Sequence, residues 1–405
     1  MTARRAPVLL TFLLLVPFAR PRAEDTAEDF EKSATRKLEA GDDAGAIADY
    51  DRALKLDPNF ATAYVNRAAA KLDAGDFGGA SADIDRAFNL GEDSSAAYIN
   101  RSFVENQIGD YDGSMKDANK VLARDPKCGE AYFNRSYAKH FKGEDVGALA
   151  DIDRAMELGP ETMDVYLARG IVRAALGDAR GAIEDETKEI ALKPGYAGAY
   201  KARARARLLN EDAAGAAADA GKGVELAPDD WDAYFLRGMC EMTLGYDRAA
   251  AGDFDRAIGD VDFDMARASA DSYASDLGRH QEVSAYYHFF RLIAMRRLHR
   301  PHPEEGLALA SAKWEAGWTK TVALYLLGKM AEKDFLEQAD AGDIKTKLGH
   351  QVEAFYYAGM THLFKKDTGA AAALFEKSVA TNQRQYSEFL LARIELSRLK
   401  PEHRP

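Results

Sequence analysis

Seven stretches of the chain repeat one another at a spacing of 34 residues, with no insertion or deletion between them. Frames starting at Ala27, Ala61, Ser95, Gly129, Met163, Ala197 and Trp231 bring the same chemistry to the same slot each time. The eighth slot holds only small residues: Ala34, Ala68, Ser102, Ser136, Gly170, Ala204 and Gly238. The twentieth holds Ala46, Ala80, Ser114, Ala148, Ala182, Ala216 and Ala250. The fifteenth is Gly in six of the seven frames, and the thirty-second is Pro in five. A strict period of this length means stacked copies of one supersecondary unit, because a single unit cannot bury its apolar face alone.

Each unit contains two apolar-periodic stretches, such as Ala61–Ala74 and Phe77–Leu90, each about three helical turns long. Between them lies Gly75-Asp76, with equivalents at Gly41-Asp42, Gly109-Asp110 and Gly177-Asp178. Glycine can enter the left-handed conformation that ends the first helix. The Asp carboxylate can then accept backbone N–H bonds at the start of the second. Pro58, Pro126, Pro160, Pro194 and Pro228 end that second helix. The small slots let paired helices approach closely, and the fourth-slot tyrosines Tyr64, Tyr98, Tyr132, Tyr166, Tyr200 and Tyr234 fill space between them. This pattern resembles the tetratricopeptide repeat. The resemblance implies an all-α, right-handed solenoid of seven helix-turn-helix repeats over 27–264, a surface for holding another chain.

A charge pattern runs through the array. The twenty-third slot is Asp throughout: Asp49, Asp83, Asp117, Asp151, Asp185, Asp219 and Asp253. The seventh is Arg67, Arg101, Arg135, Arg169, Arg203 and Arg237 in frames two to seven, but Ser33 in frame one. Arg thus starts with the first frame that has a predecessor, so each Asp is expected to reach forward to the next repeat's Arg, Asp49 to Arg67 and Asp83 to Arg101. The expected role is structural, an ion-pair ladder that sets the stacking.

Arg4-Arg5 precede an apolar run from Val8 to Phe18, followed by Pro17, Ala19, Pro21 and Ala23. A positive start, a short apolar run and small residues read as a secretory signal over 1–23, cleaved after Ala19 or Ala23, with retention as an anchor the minor alternative. The run is too short to span a bilayer. The expected location is periplasmic or secreted, with no stable membrane insertion after cleavage. A net charge of −12 argues against nucleic acid as a partner. Cys128 and Cys240 lie more than three repeats apart, so a disulfide between them is not expected. The Asn-Arg-Ser triplets at Asn100 and Asn134 fall inside expected helices and are discounted as glycosylation sites.

The repeat frame breaks after about residue 264. Residues 265–304 read as transition helices: one over Met265–Leu277 that ends at Gly278, then an amphipathic one over 282–299 with Tyr286, Tyr287, Phe289 and Phe290. Residues 305–400 read as a closing helical section, with one further repeat-like pair near Val352 and a last helix at about 385–399. Its run Trp318-x3-Val322-x2-Tyr325-Leu326-x-Gly328, then Glu353-Ala354-Phe355-Tyr356, Ala373-Leu374-Phe375 and Glu388-x3-Ala392-x2-Glu395-Leu396, resembles the end of the NlpI family. These are envelope tetratricopeptide lipoproteins of Gram-negative bacteria. The resemblance implies an adaptor that dimerises and brings periplasmic proteases to cell-wall hydrolases. This chain lacks the lipid-bearing Cys of that family, and its repeat array is longer.

In such stacks the first helices line the concave face. Its apolar centre is expected around Ile99, Phe103, Phe133, Tyr137, Leu167 and Ile171, with His140 and Phe235 on the same face. Lys201 and Arg205 of repeat six are expected to meet an acidic side chain or C-terminal carboxylate of a bound peptide or helix. The alternative is a self-associating scaffold whose groove is filled by its own C-terminal section or a second subunit. No phosphate loop, His-Glu-x-x-His motif or Gly-x-Ser-x-Gly elbow is present. His299 and His302 with Glu304 and Glu305 are broken by two prolines and read as a helix end and turn. The chain is therefore expected to be no enzyme, with no catalytic residue, metal or cofactor.

Overall fold

The computed structural model describes residues 26–159, 163–267, 270–384 and 386–399. The signal segment and Pro160 lie outside them. The chain divides into two compact units, Met1–Arg124 and Asp125–Pro405. Among the described residues every regular element is a helix.

The first unit holds three helix pairs: α1 (Ala27–Glu39) with α2 (Asp43–Leu56), α3 (Ala61–Asp73) with α4 (Phe77–Asn89), and α5 (Ser95–Ile108) with α6 (Tyr111–Arg124). The second unit opens with four more: α7 (Gly129–Phe141) and α8 (Asp145–Leu158), α9 (Met163–Leu176) and α10 (Ala179–Leu192), α11 (Ala197–Leu209) and α12 (Ala213–Leu226), and α13 (Trp231–Leu244) and α14 (Asp247–Arg267). Each pair turns as the period requires. Gly75 has φ 79°, and the Asp76 carboxylate accepts from the Gly79 amide at 2.8 Å. Gly79 leaves room for that cap, since a Cβ there would lie 2.1 Å from Asp76 Oδ2 and displace the carboxylate. The small slots are buried, Ala34, Ala68 and Ala204 among them.

The ion pairs form inside each repeat, which corrects the forward pairing expected above. Arg67 grips Asp83 through two parallel bonds, Nε to Oδ2 at 2.7 Å and Nη2 to Oδ1 at 2.5 Å. The same fork joins Arg101 to Asp117, Arg135 to Asp151, Arg169 to Asp185, Arg203 to Asp219 and Arg237 to Asp253. The seventh slot on the first helix and the twenty-third on the second therefore face each other within one pair. Asp49 is not left alone in the first repeat, because Ser33 Oγ donates to it at 2.7 Å and Lys37 Nζ at 2.6 Å. The contact to a neighbouring repeat runs backwards from the same arginine to the twenty-fifth slot: Arg67 to Asp51 at 2.5 Å and Arg169 to Asp153 at 3.2 Å.

The eleventh slot supplies a second cation to the same Asp, as Lys71 does for Asp83 at 2.7 Å and Lys139 for Asp151 at 2.7 Å. Repeats three and seven carry Glu105 and Glu241 there instead. Burial, then the neighbouring Asp117 and Asp253 charges, push these two carboxyls up to about 7.

Beyond the repeats come α15 (Ala270–Arg297), α16 (Glu305–Ser311), α17 (Trp318–Leu326), α18 (Glu332–Ala339), α19 (Ile344–Phe364), α20 (Thr368–Ala380) and α21 (Ser387–Leu399). Two transition helices were expected with a break at Gly278. Instead Met265 lies in the last turn of α14, which runs on to Arg267, and α15 runs through Gly278 without stopping. One glycine inside a helix costs about 1 kcal/mol, too little to end it when the rest of the face packs. That face supplies Phe289 and Phe290 to an aromatic core with Phe254, Phe335, Tyr356, Tyr357 and Phe375.

Helices α19 and α20 rebuild the repeat. Asp367 caps α20, and Phe375 lies over Gly359 as Phe254 lies over Gly238; a Cβ at either glycine would meet that ring at under 3 Å. The buried acids of this section have partners. Glu353 accepts from Tyr286 Oη at 2.9 Å and Trp318 Nε1 at 2.7 Å, and Glu388 from Tyr357 Oη at 2.7 Å.

Candidate partner-binding cavity

The ten groove residues separate in the structure. Ile99 and Phe103 stand on α5 in the first unit, where the half-buried Phe103 ring lies 6.4 Å from Phe77. The other eight belong to the second unit. There, Phe133 and Tyr137 project half-buried from α7, and Tyr137 pairs with Phe141 at 4.7 Å. Phe235 does not face an open groove. Its ring lies 4.5 Å from Tyr287 and 5.4 Å from Phe290, because α15 packs against α13.

His140, Leu167, Ile171, Lys201, Arg205 and Phe235 do come together, around a cavity of about 550 Å³. Leu208, Leu209, Leu236 and Met239 complete its apolar wall. Ile171 remains 45% exposed within it. The far side of the cavity is the C-terminal section: Arg384, Tyr386, Ser387 and Leu390. Leu390 is buried among Leu208, Leu236 and Cys240, and Ile394 packs beside it. Three arginines hold this segment to the ends of three successive first helices. Arg384 donates to the Leu176 carbonyl of α9 at 3.4 Å, Arg393 to the Leu209 carbonyl of α11 at 2.7 Å, and Arg398 to the Thr243 carbonyl of α13. Cations at helix carboxyl ends are favoured by the orphan carbonyls and the helix dipole. Glu211, the only non-glycine in the fifteenth slot, still adopts φ 64°, and its carboxylate pairs with Arg393 at 2.9 Å.

The cations expected to meet an acidic ligand are already matched, which corrects that expectation. Lys201 Nζ lies 2.5 Å from Asp230 and 3.0 Å from Asp232, and Arg205 lies 2.7 Å from Asp232. Burial works to raise the Asp232 carboxyl, yet Arg205 and Lys201 hold it below the usual range, so it stays charged against them. His140 is not alone either: its Nδ1 lies 2.6 Å from Asp145. Among the described residues no group of three or more His, Cys, Asp or Glu side chains could hold a metal ion. Cys128 and Cys240 are both free thiols.

A family model described as "TPR repeat" matches residues 36–75. The chain carries tetratricopeptide repeats. Several solved structures are similar to part of the chain. A tetratricopeptide repeat protein from Parabacteroides merdae is 20% identical, covering 57% of this chain and 91% of its own, with a TM-score of 0.43. YrrB, described as a TPR protein with an unusual peptide-binding site, is 18% identical over 44% of this chain and 91% of its own, at 0.37. A thermophilic TPR protein of Thermus thermophilus is 18% identical over 54% of this chain and all of its own, at 0.33.

One tetratricopeptide repeat departs from the other six in a way the groove-slot reading missed. The twenty-fourth slot holds Tyr50, Ile84, Ala118, Ile152, Ala220 and Phe254, but Glu186 in repeat five. The twenty-seventh holds Ala53, Ala87, Val121, Ala155, Gly223 and Ala257, but Glu189 in the same repeat. Both acids are buried, at 2% and 0% exposure. Apart from each other, Glu186 Oε2 and both Glu189 oxygens have no hydrogen-bond partner among the described residues. Burial, then a hydrogen bond with the Glu189 carboxyl and that group's charge, raises the Glu186 carboxyl well above its ordinary range; burial raises Glu189 as well, against the lowering effect of the same hydrogen bond. Glu186 lines the cavity, and its carboxyl fills the space left where Gly170 has no side chain. The signal was present as two acids in slots that are otherwise apolar; a search confined to the first helices passed over it.

Gly170→Ala would place a Cβ 2.3 Å from Glu186 Oε1. Although alanine is the usual residue in this slot, here it should destabilise the second unit by about 1–3 kcal/mol. Adding Glu186→Ala should restore most of the loss. Denaturant unfolding of the single and double variants checks both statements.

Proposed function

We propose that this chain is a non-catalytic adaptor of the bacterial cell envelope that holds a segment of a partner protein on the first-helix face of repeats four to seven. The observation that carries the reading is the apolar cavity beside Ile171, a place where a partner side chain can be enclosed. Tetratricopeptide repeats serve other proteins as binding surfaces for protein or peptide partners, and such proteins are generally non-catalytic. The envelope location rests on the Arg4-Arg5 and Val8–Phe18 signal pattern. Among the described residues no helix is long and apolar enough to cross a membrane. A periplasmic protease or peptidoglycan hydrolase as the recruited partner, and a homodimer, rest on the NlpI resemblance of the closing section.

A second reading has its own observation. The C-terminal section covers part of the same face, with Leu390 buried over repeats six and seven. A self-closed scaffold would need no client. Affinity capture from a periplasmic fraction separates the two readings when wild type is compared with Tyr137→Glu plus Ile171→Glu. The adaptor reading expects an envelope enzyme retained by wild type and lost by the variant. Identical captures showing only the protein itself would favour the self-closed scaffold.

A further inference from the structure

We propose that the cavity takes a peptide segment bearing a lysine or arginine beside a large apolar side chain, with the cation seated against the Glu186 carboxyl. The proposal rests on the peptide-binding reading above and specifies what that site selects.

The first support is the placement of the acids. Six of seven repeats fill these two slots with apolar residues or glycine and stack well, so the fold does not need a carboxyl in either. Burying two side by side, with no donor from any other residue on Glu186 Oε2 or either Glu189 oxygen, is costly, and the cost falls in the one repeat whose second helix supplies a carboxyl to the cavity wall. Gly170, one of the two glycines among the seven eighth-slot residues, opens the space that lets Glu186 reach that wall.

The second support is charge. The other charged side chains around the cavity are compensated within the protein. Asp230 and Asp232 match Lys201 and Arg205, Asp145 matches His140, and Arg384 donates to Asn382 and to the Leu176 carbonyl. The remaining one, Glu186, has only the neighbouring Glu189 carboxyl beside it and no ion pair to a cation. A ligand that completes the site must therefore bring a donor, and a cation completes it best. Two neighbouring carboxyls in a dry site do not both ionise, so an entering cation displaces one proton from the pair to solvent and is matched by a single negative charge. The third support is the wall itself. Leu167, Ile171, Leu208, Leu236 and Met239 have nothing to offer a cation and suit an adjoining apolar side chain.

The test is fluorescence anisotropy with three labelled pentapeptides, Ala-Leu-Lys-Phe-Ala and its Gln and Glu counterparts, titrated against the full chain and against Glu186→Ile. Isoleucine occupies the same slot in repeats two and four, so this variant keeps the repeat's own apolar chemistry. The expected result is a preference of at least about tenfold for the Lys peptide over the Glu peptide. In Glu186→Ile that preference should fall to near unity. Equal affinities in the wild type, or a preference that survives Glu186→Ile, would overturn the inference. So would no binding by any of the three peptides while the Tyr137- and Ile171-dependent capture persists, and then the adaptor reading would stand without it. Loss of that capture as well would remove both.

Discussion

Glu186→Ile combined with Glu189→Ala should make the protein more stable, raising the melting temperature of the second unit by roughly 5–15 °C. Both substitutions restore residue types that other repeats carry at those slots: Ile84 and Ile152 in the twenty-fourth, Ala53 and Ala87 in the twenty-seventh. Each buried carboxyl without a partner costs about 1–3 kcal/mol, and the apolar side chains remove that term while adding contacts to the core. The pH dependence has a definite sign. A carboxyl that is neutral in the fold and ionised in the unfolded chain binds its proton more tightly when folded. Stability is then fully present below the unfolded value, near 4.5 for Glu, and falls as pH rises towards the raised folded value. The slope approaches about 1.4 kcal/mol per pH unit for each such group. Scanning calorimetry between pH 5 and 9 should show that decline in the wild type and a flatter profile in the double variant. Glu105, Glu241 and Glu388, each pushed up to about 7, leave a residual slope at the acidic end. A double variant less stable than wild type would mean that the two carboxyls hold the repeat together.

Arg297→Met should release the closing helix. Arg297 sits between α13, α14 and α21: it donates to the Met242 carbonyl at 3.1 Å and to Asp247 at 3.4 Å, and pairs with Glu395 at 2.6 Å. Methionine matches the length of the side chain but leaves the buried Glu395 with Arg398 alone, at 2.5 Å. Removing one member of a buried pair costs about 3–5 kcal/mol, because the other charge remains out of water. Helix α21 is tied to the repeats by this acid, Leu390, Ile394 and the two arginines Arg393 and Arg398, so it should open before the repeats do. Hydrogen exchange should show faster exchange along Ser387–Leu399 with little change in α7 and α8. Arg297→Met with Glu395→Leu should recover most of the protection, since neither charge then lacks its partner. If the single variant exchanges like wild type, α21 is held by its apolar face alone.

Much of this architecture is readable from spacing. The helix pair expected at Ala61–Ala74 and Phe77–Leu90 is found at Ala61–Asp73 and Phe77–Asn89, because Gly75-Asp76 dictates where one helix must stop and the next begin. What spacing does not contain is direction. The Asp and Arg slots could be satisfied forward or within a repeat, and the absence of Arg from the first frame favoured forward; Ser33 and Lys37 supply Asp49 by another route. The groove residues were chosen by slot, which treats every first helix as equally open. Tertiary packing overrides that for Phe235, covered by α15, and for Lys201 and Arg205, matched by Asp230 and Asp232 at the entry to the next repeat. Gly278 failed as a helix end because the aromatic face of α15 outweighs one residue's propensity. The acid pair was legible as two acids in otherwise apolar slots, but it lies on a second helix, outside the first-helix slots that defined the groove.

A stack of identical units behaves like a coil spring: each junction yields a little, and the small rotations add along its length. The three arginines of the closing segment bridge the ends of α9, α11 and α13, so over that stretch two junctions are strapped to a common bar. The spring is therefore stiff where the cavity lies. A ligand entering there meets walls already at their working separation and need not wait for the coil to wind or unwind around it.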